Sequence, residues 1–315
     1  MAIPTRPAIA VLDDWQGAAR RFADWSAVEA RADLQVFDDH LADADAVVAR
    51  LQAFDAVCVM RERTPLPRAI LERLPRLKLV VSTGSRNASI DVAAAAELGI
   101  AVEHTGYASD PTIEFTWALI LASCRHVAEE SAAVRAGRWQ HTVGTGLRGK
   151  TLGVLGLGRV GGAVARIGQA FGMHTVAWSP NMTPERAAEH GATSVSREAL
   201  FGESDVLTLH MVLSPKTRGL VGAADLARMK PTARLVNTSR GPLVDEAALV
   251  ETLRSGRIAG AAIDVYDHEP LPADHPLRTL PNVLATPHIG YVADDLYRTF
   301  HGDSVAALMR WLEAR

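Results

Sequence analysis

The sequence predicts an α/β protein with two doubly wound parallel sheets, and three observations carry that prediction. Short, continuous apolar runs alternate with helical patterns along nearly the whole chain, as strands covered on both faces require. Eleven such runs are too many for one ordinary sheet. At 315 residues the chain also exceeds what one hydrophobic core usually supports.

The first five strands are read in "AIAVLDD", "LQVFDD", "AVCVMRE", "LKLVVSTG" and "IAVEHT". A long helix is expected from Glu114 in "EFTWALILASCRHVAEESAAVRAG", between the two strand sets, where it can bridge two domains. The next six strands are "TLGVLGLG", "HTVAWS", "DVLTLHMV", "ARLVNTS", "GAAIDVY" and "NVLATP", with a proline-rich loop, "PADHPLRTLP", before the last. The closing segment, "ADDLYRTFHGDSVAALMRWLEAR", reads as an amphipathic helix with no strand after it. Packed back on the first domain, it makes that domain discontinuous. The boundaries expected are residues 1–104 plus 290–315 for one domain and 105–289 for the other.

Composition excludes several classes of function. A net charge of -3 with 22% charged residues leaves no basic field for nucleic acid. No apolar run reaches the roughly 20 residues of a membrane span, and the N-terminus lacks a signal-peptide core. The two cysteines, Cys58 and Cys124, lie in apolar runs and read as buried thiols, which suits the cytoplasm. The eleven histidines show no metal-ligand spacing with carboxylates, so no metal is expected.

The first chemical signal is Gly156, Gly158 and Gly161 in G-x-G-x-x-G spacing. Alone the pattern is weak. Here it follows the strand "TLGVL" and opens the helix "GGAVARIGQAFG", the context of a dinucleotide fingerprint. Gly156 permits the tight turn, Gly158 lets the backbone approach a pyrophosphate, and Gly161 permits close helix–strand packing. The free N–H groups that open the helix, with Arg159 and Val160 between the last two glycines, face the anion. The next strand ends "AWSPNM", without the carboxylate that holds the ribose of NAD. Ser179 stands there instead, so both NAD(H) and NADP(H) stay open as cofactors.

The second signal lies in three later strand ends. "NTSRGPLVDE" places Arg240 just past a buried run, "AAIDVYDHEP" carries Asp264 and Glu269, and "ATPHIG" carries His288. Ligands of an open parallel sheet bind at the carboxyl ends of its strands, so these residues can converge. A histidine with a carboxylate is a tunable acid–base pair. A guanidinium offers a fork to a carboxylate or carbonyl oxygen. Each alone has a plain structural explanation; together, downstream of the fingerprint, they form a candidate catalytic set.

With these segments in view, the chain resembles the D-isomer-specific 2-hydroxyacid dehydrogenases over essentially its whole length. "GKTLGVLGLGRVG", "LHMVLSPKTRGLV", "MKPTARLVNTSRGPLVDEAAL", "AAIDVYDHEPLP" and "NVLATPHIG" carry the resemblance, in the family's order and spacing. It implies a flavodoxin-like substrate domain built from both chain ends and a Rossmann-type dinucleotide-binding domain. It implies that Arg240, Glu269 and His288 are catalytic, with Arg240 and His288 touching a small 2-oxoacid substrate. Asp264 would hold the nicotinamide carboxamide, His210 would offer a backbone contact to the nicotinamide ribose, and Thr238 and Thr112 would reach the cofactor.

The resemblance also implies that the loop "STGSRNASID" offers the N–H groups of Ser85 and Arg86 to the substrate carboxylate. Arg86 stands where glycine is common, and either adds a charge to the pocket or faces solvent. Trp117 faces either the domain junction or the core. Trp139 matches a recurrent position and reads as structural. Tyr291, in place of a small residue, either narrows the pocket or contacts substrate. A homodimer through the cofactor domain and the long helix is implied. The leading expectation is a reductase of small 2-oxoacids such as glyoxylate or hydroxypyruvate. The alternative is a cofactor-sensing binding protein of the same fold without useful turnover. A formate-type dehydrogenase would lack a carboxylate at Glu269.

Overall fold

The computed structural model describes residues 6–315. The chain divides into two compact units, one reaching to Ala108 and including Val292–Arg315, the other Ser109–Tyr291.

The first unit holds β1 (Ala8–Val11), β2 (Asp33–Val36), β3 (Ala56–Val59), β4 (Leu79–Ser82) and β5 (Ala101–His104). They pair in the order β2-β1-β3-β4-β5, every pair parallel. That is the flavodoxin-like winding. β3 and β4 are buried along their whole length, which is why "AVCV" and "LVVS" read as unbroken apolar runs. The tail helix Asp294–Glu313 supplies Ala307, Leu308 and Leu312 to the cluster around Ile9, Val11 and Trp25. The last segment of the chain therefore closes one face of the first sheet.

The second unit holds β6 (Thr151–Leu155), β7 (His174–Trp178), β8 (Thr193–Ser194), β9 (Val206–Leu209), β10 (Arg234–Asn237), β11 (Gly260–Ile263) and β12 (Val283–Ala285). The order is β12-β11-β10-β9-β6-β7-β8, again all parallel. The winding reverses beside β6, the topological switch point at which an open α/β sheet binds its ligand.

Two elements differ from the sequence reading. β8 is a seventh strand in this sheet, two residues long and not fully buried, so it leaves no apolar run to read. The single helix expected from Glu114 is two helices. The first, Asp110–Cys124, begins a turn earlier, with Pro111 in its opening turn where a missing N–H costs nothing. The second is Val127–Arg135. Between them His126 takes a left-handed φ of 53°, which ends the first helix without glycine or proline. Trp117 lies in the core at 5% exposure, stacked on Phe171.

Candidate active site

The fingerprint turn lies at the switch point. Gly156 has φ 94°, and a Cβ there would come 2.8 Å from the His210 carbonyl oxygen and from the Met211 sulfur. A Cβ on Gly161 would come 2.0 Å from the Gly156 oxygen. Both positions therefore exclude a side chain. Over Gly158 the space is open, and a Cβ would meet no atom within 4 Å. Gly158 also caps the helix Arg159–Ala170 without a side-chain acceptor. The first N–H groups of that helix, at Arg159, Val160 and Gly161, lack helical partners and give the end a partial positive charge. A cradle of open space and unpaired N–H groups fits a dinucleotide pyrophosphate.

At the end of β7, Ser179 is half-buried, and its carbonyl accepts from Met182 N at 3.0 Å. The arginine that reaches this edge is Arg197, 5.6 Å over the Trp178 ring. Its guanidinium is held by both Asp225 oxygens, at 3.1 and 2.7 Å. The turn 179–182 past β7 carries no carboxylate, and the guanidinium over Trp178 is committed to Asp225.

Three adjacent strands, β10, β11 and β12, deliver the catalytic candidates from their carboxyl ends. After β10, the Asn237 side chain folds the turn. Its amide donates to Arg240 O at 2.9 Å, and its oxygen accepts from Ser239 N at 3.0 Å. Arg240 is half-buried, with Nη1 donating to Ser239 O at 2.7 Å. Beside it, a Cβ on Gly241 would lie 2.1 Å from the Tyr266 carbonyl carbon. The β10 loop thus seats on the β11 loop because residue 241 has no side chain. Thr238 is buried, 2.7 Å from the hydroxyl of Thr116, which ties the strand end to the helix Asp110–Cys124. Thr112 sits one turn earlier on that helix, half-buried.

After β11 comes Glu269. Its Oε1 accepts from Tyr266 N at 2.9 Å, and its Oε2 lies 2.6 Å from His288 Nδ1. His288 follows β12 in a left-handed turn, φ 54°, uncommon for a residue with a Cβ. Its ring and that of Tyr291 are nearly perpendicular with centroids 5.9 Å apart, and Tyr291 itself is buried at 5% exposure.

Asp264 is fully buried. Its Oδ1 accepts from Thr286 Oγ1 at 2.6 Å and Ile289 N at 2.9 Å, and its Oδ2 accepts from Gly290 N at 2.9 Å. Burial pushes its carboxyl above the usual carboxylate range, and these donors pull the other way. The contacts of Asp264 go to the turn that carries His288.

His210, past β9, is placed differently. Burial pushes its imidazole down to about 3, and Nε2 lies 2.9 Å from the Thr208 hydroxyl. This histidine stays neutral at physiological pH.

In the first unit, Ser85 and Arg86 are both exposed. The guanidinium that reaches this loop belongs to Arg61. It donates to Thr83 O at 3.3 Å and lies where a Cβ on Gly84 would be, 1.8 Å away. Among the described residues no cluster of histidine, cysteine and carboxylates could hold a metal ion. Among the described residues no helix is long and apolar enough to cross a membrane.

Sequence reasoning did not reach Tyr266, Thr286, Thr116 or Arg61 as contributors. Their types are ordinary, and only their partners reveal them.

Residues 117–290 match the family described as D-isomer specific 2-hydroxyacid dehydrogenase, NAD binding domain. The chain belongs to that family. It is 46% identical to a glyoxylate reductase of Aeropyrum pernix over 229 residues, 70% of this chain and 68% of that protein. It is 41% identical to a D-3-phosphoglycerate dehydrogenase of Methanocaldococcus jannaschii over 74% of this chain, but spans only 45% of that protein. Among solved structures, a phosphoglycerate oxidoreductase from Vibrio cholerae superposes with a TM-score of 0.93 at 36% identity, covering 98% of this chain and 100% of that one. The chain is therefore an oxidoreductase, a dehydrogenase of D-2-hydroxyacids with a nicotinamide-dinucleotide domain.

Proposed function

We propose that this dehydrogenase reduces small 2-oxoacids of the glyoxylate and hydroxypyruvate class, with Arg240, Glu269 and His288 as its catalytic residues. The observation that carries the reading is the 2.6 Å contact between His288 and Glu269, on the strand edge that also bears the fingerprint turn. The unit Ser109–Tyr291 is the cofactor domain and the other unit the substrate domain. Gly156, Gly158 and the N–H groups of Arg159, Val160 and Gly161 hold the pyrophosphate. Ser179 meets the ribose at its 2′ side, where nothing selects against NADH or NADPH. His210, Thr238, Thr112 and Asp264 line the remainder of the cofactor site, and Ser85 and Arg86 are substrate contacts.

A bound nicotinamide supplies hydride to the substrate carbonyl carbon. Arg240 holds the oxoacid by its carboxylate and carbonyl oxygens. His288, charged, passes one proton to the carbonyl oxygen, so that a carbonyl, a hydride and a proton become an alcohol, primary from glyoxylate and secondary from hydroxypyruvate. In the reverse direction neutral His288 takes the hydroxyl proton. Glu269 fixes the ring through Nδ1, which leaves Nε2 for the substrate and compensates the charge that develops on the imidazole.

The proposed assembly is a homodimer. Trp139 and Val143 are 77% and 93% exposed, beside exposed Val127 and Val134. Glu130 holds the segment between them to the helix through Thr142 N at 2.7 Å. A built, apolar, exposed surface of this kind suits a second copy of the chain. Two unpaired, buried cysteines suit a reducing compartment, and the cytoplasm is the proposed location.

The test is an assay of NADH and NADPH oxidation, in parallel, against glyoxylate, hydroxypyruvate, pyruvate and phenylpyruvate. Turnover with the small acids is expected. Tight cofactor binding with no turnover on any of them would overturn the reading in favour of a cofactor-sensing binding protein.

A further inference from the structure

The residue Tyr266 has no role in the reading above, yet two loops of the site hang on it. It is 94% buried, at 6% exposure, two positions beyond Asp264 on the segment that leaves β11. Its main-chain N–H donates to Glu269 Oε1 at 2.9 Å, which turns Oε2 toward His288. Its phenol donates to Thr286 O at 2.8 Å, with Ile263 O at 3.1 Å as a weaker second acceptor. Each of these carbonyls also takes a backbone N–H, Ile263 O from Thr286 N at 2.9 Å, so the shorter distance is what makes Thr286 O the phenol's main acceptor. Thr286 O also accepts from His288 N at 3.1 Å, closing the turn in which His288 holds φ 54°.

We propose that Tyr266 is a positioning residue for the His288–Glu269 pair. Its backbone orients the carboxylate, and its phenol holds the carbonyl on which the left-handed His288 turn closes. The inference rests on His288 being the acid–base group. The physical need is plain. A non-glycine residue in the left-handed region persists only where its surroundings over-determine it. Asp264 fixes the far side of the turn through Ile289 and Gly290, and the near side is fixed at Thr286 O. Burial also pushes the phenol well above its ordinary range, with Asp264 and Glu269 adding to the effect, so it remains a hydrogen donor throughout the working pH range.

The test is Tyr266→Phe, which removes one oxygen and leaves the backbone N–H. The expected result is a kcat lowered roughly ten- to a hundredfold, as for a small displacement of a reacting group. NADH affinity and substrate KM should be unchanged, and the pH profile of kcat displaced. A crystal structure of the variant should show His288 rotated away from Glu269. Wild-type kcat with an unmoved pH profile overturns the proposal. So does a loss of kcat that only follows a loss of thermal stability and NADH affinity, since that marks a merely structural residue. His288→Ala, assayed beside it, separates the two readings. An active His288→Ala enzyme sinks the catalytic assignment itself. An inactive one beside a normal Tyr266→Phe enzyme sinks only the positioning role.

Discussion

Two histidines stand at strand ends of the same sheet, and they have opposite fates. His210 follows β9 and His288 lies beyond β12, and both residues are partly covered. His210 has a threonine hydroxyl for company, and burial holds it neutral down to about 3. His288 has a carboxylate at 2.6 Å and a turn held in place by Asp264 and Tyr266. Position on the carboxyl edge of a parallel sheet therefore does not by itself equip a histidine for acid–base chemistry; a carboxylate partner that can compensate its charge separates the two.

The sharpest way to break this contrast is to delete each ring. His288→Ala should lower turnover by roughly 10²–10⁴, while His210→Gln should leave kcat within about tenfold, since its neutral ring moves no proton. Comparable losses from both, in steady-state assays at saturating cofactor, would erase the distinction. Next in size, Glu269→Gln keeps the shape and removes the charge. With no negative charge beside the ring that donates the proton, kcat of oxoacid reduction should fall. An unchanged kcat takes Glu269 out of the mechanism.

A smaller effect concerns stability. The folded-state imidazole of His210 lies at about 3, below the 6.5 of an unperturbed histidine. Below pH 6.5 the unfolded chain gains a proton that the folded chain refuses. The contribution is therefore fully present above pH 6.5 and is lost as pH falls toward 3, by at most about 1.4 kcal/mol per pH unit. His301 is buried and depressed in the same direction, by burial with the Asp14 charge opposing. His210→Gln should flatten the fall of the thermal midpoint between pH 6 and about 4; parallel curves for the two proteins would show that burial does not bias this ring. Smallest in its effect on chemistry, Trp139→Glu should shift the protein toward monomer by light scattering while NADH binding persists. An unchanged mass would remove this surface from the assembly.

Much of the fold was legible. β3, β4, β6, β9, β10 and β11 are buried along nearly their whole length, and continuous burial writes continuous apolar sequence. What went unread had no such trace. β8 is two polar residues completing a sheet edge. The break at His126 comes from one left-handed residue of a type that carries no turn signal. The earlier helix start was signalled, since Asp110 and Pro111 suit a first turn, but the apolar run that begins at Phe115 outweighed them.

The sequence by itself determined the parallel architecture, the glycine turn that opens the helix after β6 and the order in which arginine, glutamate and histidine reach the strand ends. Those follow from local rules, namely apolar periodicity and the spacing of glycines that must lack a Cβ. Tertiary structure decided which histidine meets a carboxylate, that Asp264 turns its oxygens to the His288 loop, that Arg61 rather than Arg86 covers the Gly84 loop, and that a buried phenol bonds the Thr286 carbonyl. A polar group beyond a strand end bonds whatever the neighbouring strand delivers. In a parallel sheet that neighbour comes from a distant part of the chain, 19 residues away for Glu269 and His288 and 22 for Asp264 and Thr286.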